Sequence, residues 1–274
     1  MYHDLNPILL QLGPIAIGWY GMMFALSFIL GLYISIWRMK KHPWHGLTPD
    51  HLNDLLVYIV IGVILGGRLG SVLFYNLDYY LANPLDIFKI WRGGMSFHGG
   101  FLGVCAAVIL FARSRKLHIF TVGDYMASIA ALGLFFGRIG NFINGELWGR
   151  AADVPWAMVF SMDPLQIARH PSQLYQAFGE GLMVFVILWW FTSKPRPRMA
   201  ASGLFMVLYG AARIGAEFFR EPDAHIGFLA GFLTMGMVLS VPMILVGATL
   251  LWLGYRNQQY PTPEAKALAQ KTKA

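Results

Sequence analysis

Residues 124–136 read DYMASIAALGLFF, an apolar run, and residues 137–150 follow as GRIGNFINGELWGR. The second stretch holds two Arg, two Asn and one Glu within fourteen residues. An apolar run of this kind reads as a helix in a bilayer. So much charge at its end then requires a partner or a purpose.

The whole chain supports that reading. Of its 274 residues, 57% are hydrophobic and only 13% charged, and the mean hydropathy is +0.53. A water-soluble domain carries about a quarter charged residues. The net charge of +7 is not gathered into a basic patch on a soluble fold, so nucleic acid is not the expected partner. Cys105 is the single cysteine, and no CxxC or Cys/His spacing suits a metal. It reads as a small packing residue. The N-terminal MYHDLNPILLQLGPIAIG lacks the positive start of a secretory signal, so the first apolar run is expected to stay in the membrane.

Seven apolar spans are predicted, over about 15–37, 52–76, 94–112, 119–142, 172–191, 201–219 and 228–254. The expectation is an all-α integral membrane protein, with one polytopic domain over 1–254 and a polar tail over 255–274. Longer loops cover about 77–93 and 143–171 and form a small head region. Basic residues set the orientation. The loops at 38–41, 113–116 and 194–198 and the tail at 256–273 hold 13 of the 21 Lys and Arg, against five in the alternate loops. The N-terminus is therefore expected outside, with the tail in the cytoplasm. Gly62, Gly66 and Gly70, and likewise Gly133 and Gly137, repeat every fourth residue, a spacing that lets helices approach closely.

Three Arg lie within the spans: Arg68, Arg138 and Arg213. Intramembrane charge is costly unless it is paired or faces a wet cavity. With Tyr20 and His98, these side chains are expected to converge on the outer half of the membrane. Arg68 can instead snorkel or pair with Asp54 or Asp78. In YGAARIGAEFFREPD, residues 209–223, the side chains of Tyr209, Arg213, Glu217 and Arg220 form one helical stripe. Glu217 can then hold Arg213 or Arg220. Arg138, Asn141 and Gly145 share a face with Glu146 beside them. Two guanidiniums at that depth suit an anion, because the planar fork grips phosphate at two points. The phosphate of an outer-leaflet phospholipid lies at the same depth. Trp19, Trp148 and Trp156 read as interfacial anchors. Ser172 reads as the N-cap of span five, and Asp50 as a cap near span two.

The segment 137–150 resembles the signature of bacterial prolipoprotein diacylglyceryl transferases. GGMSFHGG at 93–100, RHPSQLY at 169–175 and residues 209–223 resemble the other motifs of that family, in the same order. The likeness runs from Gly18 to about Asp223. It implies transfer of the diacylglyceryl group of phosphatidylglycerol to the lipobox cysteine of a prolipoprotein signal peptide, with release of glycerol 1-phosphate, at the bacterial cytoplasmic (inner) membrane. No metal or cofactor is implied. The resemblance implies that Arg138 and Arg213 are essential. It places Tyr20, His98, Asn141, Glu146, Gly149, Tyr209, Glu217 and Arg220 around the site. The chemistry leaves two roles open for His98: general base for the thiol, or a group that orients the lipid while Arg213 favours the thiolate.

Two other classes compete with this reading. A transporter or flippase with an Arg-lined phosphate site would show an inverted repeat or matched broken helices, and neither is visible. A metal-dependent CDP-alcohol transferase would show clustered Asp, and only Asp50 and Asp54 lie close together.

Overall fold

The computed structural model describes residues 1–13, 15–90, 93–222, 227–229 and 231–271. Arg92, one of the five basic residues of the alternate loops, Asp223 at the end of the family likeness and Lys273 of the basic tail lie outside them. The helices are α1 (Trp19–Lys41), α2 (Pro49–Phe74), α3 (Leu77–Ala82), α4 (Phe97–Ser114), α5 (Ile119–Ile143), α6 (Ser172–Gln176), α7 (Val184–Phe191), α8 (Ala200–Glu217), α9 (Met235–Asn257) and α10 (Pro263–Lys271). A π-helical turn, Ala177–Met183, joins α6 to α7. Among the described residues, five short strands accompany them: β1 (Tyr2–His3), β2 (Ile8–Leu12), β3 (Ile15–Gly18), β4 (Met158–Phe160) and β5 (Ala168–Arg169). The chain is therefore mostly helical rather than all-α.

Among the described residues, six helical segments are long and apolar enough to cross a membrane: α1, α2, α4, α5, the continuous Ser172–Phe191 rod, and α9. Ile29, Trp190 and Leu245 on these helices are each more than 60% exposed. So much bare apolar surface suits hydrocarbon surroundings rather than water. The helix α8 also runs 18 residues, but it carries Arg213 and Glu217 and falls below the apolar content of the other six.

The chain divides into two compact units, Ile36–Gly123 and the remainder, Met1–Ser35 with Asp124–Ala274. In the Ile36–Gly123 unit, α2 starts at Thr48. The Thr48 hydroxyl accepts from the His51 amide, and the His51 ring accepts from the Thr48 amide, both at 3.3 Å. This closed capping box, with Pro49 in the first turn, makes Thr48 the cap in place of Asp50. Gly66 and Gly70 let α2 lie directly on α4. A Cβ on Gly66 would stand 2.8 Å from the Gly103 Cα, and one on Gly70 would stand 2.7 Å from the Gly99 Cα. The second glycine pair makes no such approach. Gly133 has nothing within 4 Å of a Cβ position, and Gly137 only the Phe24 ring at 3.7 Å.

In the larger unit, β2 and β3 form an antiparallel hairpin that leads into α1. The remaining strands form a sheet in the order β1-β4-β5, with β1 parallel to β4. Asp124 reaches from α5 to the start of α8. Its carboxylate accepts from the amides of Met199 (2.7 Å) and Ser202 (2.8 Å) and from the Ser202 hydroxyl (2.7 Å). Those amides open a helix and have no partner within it, so Asp124 acts as a cap supplied by another helix. Ala131, Val184 and Leu188 form a fully buried apolar core, with Phe185, Leu204, Phe205 and Leu208 packed around it. Thus α5, α7 and α8 are locked side by side before any charged group is considered.

Candidate active site

The GRIGNFI stretch is the last part of α5, and it carries Arg138 inward. Nη2 of Arg138 lies 3.3 Å from one oxygen of Glu180, and Nη1 of Arg213 lies 3.3 Å from the other. Glu180 is fully buried. One carboxylate is thus shared by guanidiniums from α5 and α8. Arg213 also meets Glu217 at 2.5 Å, and Arg220 lies 3.6 Å from the same Glu217 oxygen. The four-residue spacing along α8 produces the first of these contacts and the three-residue spacing the second. Glu217 therefore serves both Arg. Tyr209, one turn before Arg213, lies near Arg138.

Sequence reasoning singled out Arg138, Arg213, Tyr209, Glu217 and Arg220 but not Glu180. The missed signal was available. Glu180 is the lone acid within 172–191, and an ionisable residue inside a span is a site candidate by default. The π-turn around it is a second mark, because such turns recur at functional sites.

Beyond α5 the chain reverses at Gly145, whose φ of 66° suits glycine. The reversal brings Glu146 back over the helix end. Its side chain accepts from Asn141 (2.8 Å) and Asn144 (3.3 Å). Tyr20 of α1 lies near Asn141. Its ring lies over Gly140, where a Cβ would stand 2.9 Å from the ring. Gln173 donates to the Glu146 carbonyl (2.6 Å) and Ser172 to the Leu147 carbonyl (3.0 Å). Ser172 is therefore not the N-cap. Pro171 occupies that position, and the Ser172 hydroxyl ties helix to loop instead.

Gly149 is held where three backbone segments meet. Its amide donates to the His170 carbonyl at 2.9 Å, and a Cβ would stand 2.5 Å from the Phe219 oxygen. Arg150 donates to the carbonyls of Glu217 (2.9 Å) and Arg220 (3.0 Å). It satisfies orphan acceptors at the end of α8 and places a cation at that end of the helix dipole. The segment 146–150 is in this way stitched to the helix that carries Arg213.

The loop 143–171 is not open coil. Trp148 stacks on Phe160 at 6.1 Å and lies under the Arg169 guanidinium, so its ring packs within the loop. Trp156 is half exposed and donates to the Tyr175 hydroxyl at 2.6 Å. Arg169 hydrogen-bonds Asp163 at 2.6 Å and holds that carboxyl below the usual carboxylate range.

Arg68 and His98 belong to the other unit. Arg68 spends its guanidinium on the carbonyls of Asp86 (2.5 Å), Ile87 (2.8 Å), Lys89 (3.3 Å), Gly93 (2.5 Å) and Gly94 (3.1 Å). It pairs with neither Asp54, which is bound to Arg115, nor Asp78. The expected role in an anion cluster gives way to a structural one, holding the backbone of Asp86, Ile87, Lys89, Gly93 and Gly94. His98 stands exposed in the first turn of α4 beside the Phe97 ring. Among the described residues, no group of three or more His, Cys, Asp or Glu side chains can hold a metal ion.

The family model described as prolipoprotein diacylglyceryl transferase matches residues 7–253. Three curated relatives are each named phosphatidylglycerol–prolipoprotein diacylglyceryl transferase. The protein of Oleidesulfovibrio alaskensis is 53% identical over 260 residues, covering 94% of this chain and 96% of its own length. That of Dechloromonas aromatica is 51% identical over 260 residues, covering 94% and 98%. That of Acinetobacter baumannii is 49% identical over 263 residues, covering 94% and 96%. By the extent of these matches, which take in α5, the Glu180 turn and α8, the chain belongs to the prolipoprotein diacylglyceryl transferase family.

Proposed function

We propose that the chain transfers the diacylglyceryl group of phosphatidylglycerol to the lipobox cysteine thiol of a prolipoprotein. The products are a thioether-linked lipoprotein and glycerol 1-phosphate, the first step of bacterial lipoprotein maturation. The single observation that carries this reading is the Glu180 carboxylate shared by Arg138 and Arg213. It sets two guanidiniums side by side within a membrane helix bundle, which suits the phosphate of a lipid.

The reaction breaks the bond between the diacylglyceryl carbon and its phosphate oxygen. The thiol sulfur forms the new bond to that carbon, the electron pair leaves with the phosphate, and the thiol proton goes to a base. Negative charge therefore grows on the leaving phosphate, and fixed cations in a dry site stabilise that change. Arg138 touches Glu180 through one nitrogen and offers the rest of its fork to the phosphate. Arg213, held on two sides by Glu180 and Glu217, stabilises the developing charge and favours the thiolate. Asn141, Glu146, Tyr20 and Tyr209 shape the lipid site. Gly149, Glu217 and Arg220 keep its walls in register. His98 accepts the thiol proton. A His98→Gln variant is then expected to lose most of its turnover and the acid limb of its pH–rate profile. An unchanged rate and profile would remove His98 from that role.

The proposed setting is the bacterial cytoplasmic membrane, with seven spans including α8, the N-terminus outside and the C-terminal tail inside. The weak apolar character of α8 follows from its task, since Tyr209, Arg213 and Glu217 face the site rather than lipid. The loop 143–171 forms the external head, and the single polytopic domain extends over 1–254.

The test is turnover by purified protein supplied with phosphatidylglycerol and a lipobox peptide, with the Ser-for-Cys peptide as control. Release of glycerol phosphate that needs both lipid and thiol is expected. Release that ignores the thiol, or none beside an active relative, would overturn the assignment.

A further inference from the structure

Glu180 is the last of four fully buried polar residues on one helical stretch, after Ser172, Gln173 and Gln176. Ser172 and Gln173 each donate to a carbonyl of the 146–147 segment, and Glu180 binds the two Arg. Gln176 is different. Neither its amide nitrogen nor its oxygen has a hydrogen-bond partner among the described residues, and the Gln173 oxygen beside it also lacks one. Buried polar groups are almost always hydrogen-bonded, and a carboxamide offers two donors and an acceptor. A fully buried amide with both ends vacant asks for a ligand that supplies donors and acceptors together.

Position indicates which one. Residues 173, 176 and 180 follow a three- and four-residue spacing, so they share one helix face. Gln176 lies about one turn, ~5 Å, from Glu180, on the side of Glu146 and Leu147. If Arg138 and Arg213 hold the lipid phosphate, the acyl chains extend toward the bilayer interior. The headgroup then extends the other way, toward the 146–147 segment and past Gln176. A glycerol headgroup carries two hydroxyls, each both donor and acceptor, and it follows the phosphate at about that distance.

We propose that Gln176, with the Gln173 oxygen beside it, hydrogen-bonds the headgroup hydroxyls of the lipid donor and so selects a glycerol headgroup over headgroups lacking them. The inference rests on the diacylglyceryl-transfer reading and adds to it a specificity residue. A site built to bind hydroxyls rejects analogues without them strongly, because its own buried polar groups are then left vacant.

The experiment compares phosphatidylglycerol with phosphatidylpropanol, which keeps the phosphodiester and three-carbon headgroup but lacks both hydroxyls. Thioether formation on a lipobox peptide is followed by mass spectrometry for the full chain in nanodiscs. The wild type is expected to favour phosphatidylglycerol by about 100-fold or more in kcat/KM. Gln176→Leu is expected to shrink that ratio at least 10-fold through loss on phosphatidylglycerol, with the peptide KM unmoved. An equal fall on both lipids, an unchanged ratio, or a raised peptide KM would overturn the proposal. Gln176→Met, closer in shape and flexibility, serves if the Leu variant fails to fold, with the same contrast expected. If the wild type transfers from neither lipid, the reaction assignment fails instead. The ratio is then read as binding of the two lipids by native mass spectrometry, where equal binding to wild type would overturn the headgroup role.

Discussion

Arg138→Lys is expected to lower turnover by about 100- to 1,000-fold, the scale on which enzymes lose rate when one preorganised donor to a developing anion is removed. The charge survives this substitution, so a simple electrostatic role would predict a mild effect. The geometry predicts a severe one. Arg138 has to reach the Glu180 carboxylate, lie near Tyr209 and still present nitrogens to a phosphate. A planar fork does this with several fixed donors, whereas an ammonium is a single compact point of charge. Steady-state kinetics with phosphatidylglycerol and a lipobox peptide would measure it. A Lys variant within threefold of wild type would remove Arg138 from the phosphate-clamping role.

The second large effect is expected at Glu180. Glu180→Leu leaves two guanidiniums facing each other beside a buried position with no shared counter-charge. Breaking a buried pair by removing one partner costs about 3–5 kcal/mol, so a lower unfolding temperature in detergent is expected. Turnover should fall with it, because Arg138 loses its ion pair and Arg213 keeps only Glu217. Glu180→Asp separates the two effects. Its carboxylate retains the charge but is one methylene shorter, so stability should largely return while turnover stays depressed. A Glu180→Leu protein that melts and turns over like wild type would show that the shared carboxylate organises nothing.

Much of this arrangement was legible in the sequence. The apolar runs marked the helices, since a bilayer demands long uninterrupted hydrophobic segments. The four-residue spacing of Arg213 and Glu217 gave their contact directly, because helical geometry alone sets it. Other features depended on distant parts of the chain. Arg68, read as an intramembrane Arg that could also snorkel or pair with Asp54 or Asp78, instead has its fork taken up by the carbonyls of Asp86, Ile87 and Gly93, and no local pattern announces such backbone contacts. The three-stranded sheet was missed because β1 and β5 are only two residues long and exist through pairing with β4. Ser172 looked like a cap by composition, but the nearby Leu147 carbonyl claims its hydroxyl. Glu180 escaped notice because the surrounding residues fit an apolar span so well, although its isolation there was itself the clue.

The central claim is that the lipid phosphate leaves as a phosphate while sulfur attacks carbon. The most direct measurement uses phosphatidylglycerol carrying ¹⁸O at the one oxygen that bridges the diacylglyceryl carbon and phosphorus. After turnover with a lipobox peptide, both products are weighed by mass spectrometry. The account predicts that the label leaves entirely with glycerol phosphate and that the peptide carries an unlabelled thioether. A peptide that retains the labelled oxygen together with phosphorus would mean attack at phosphorus, and would contradict an Arg site built to release phosphate.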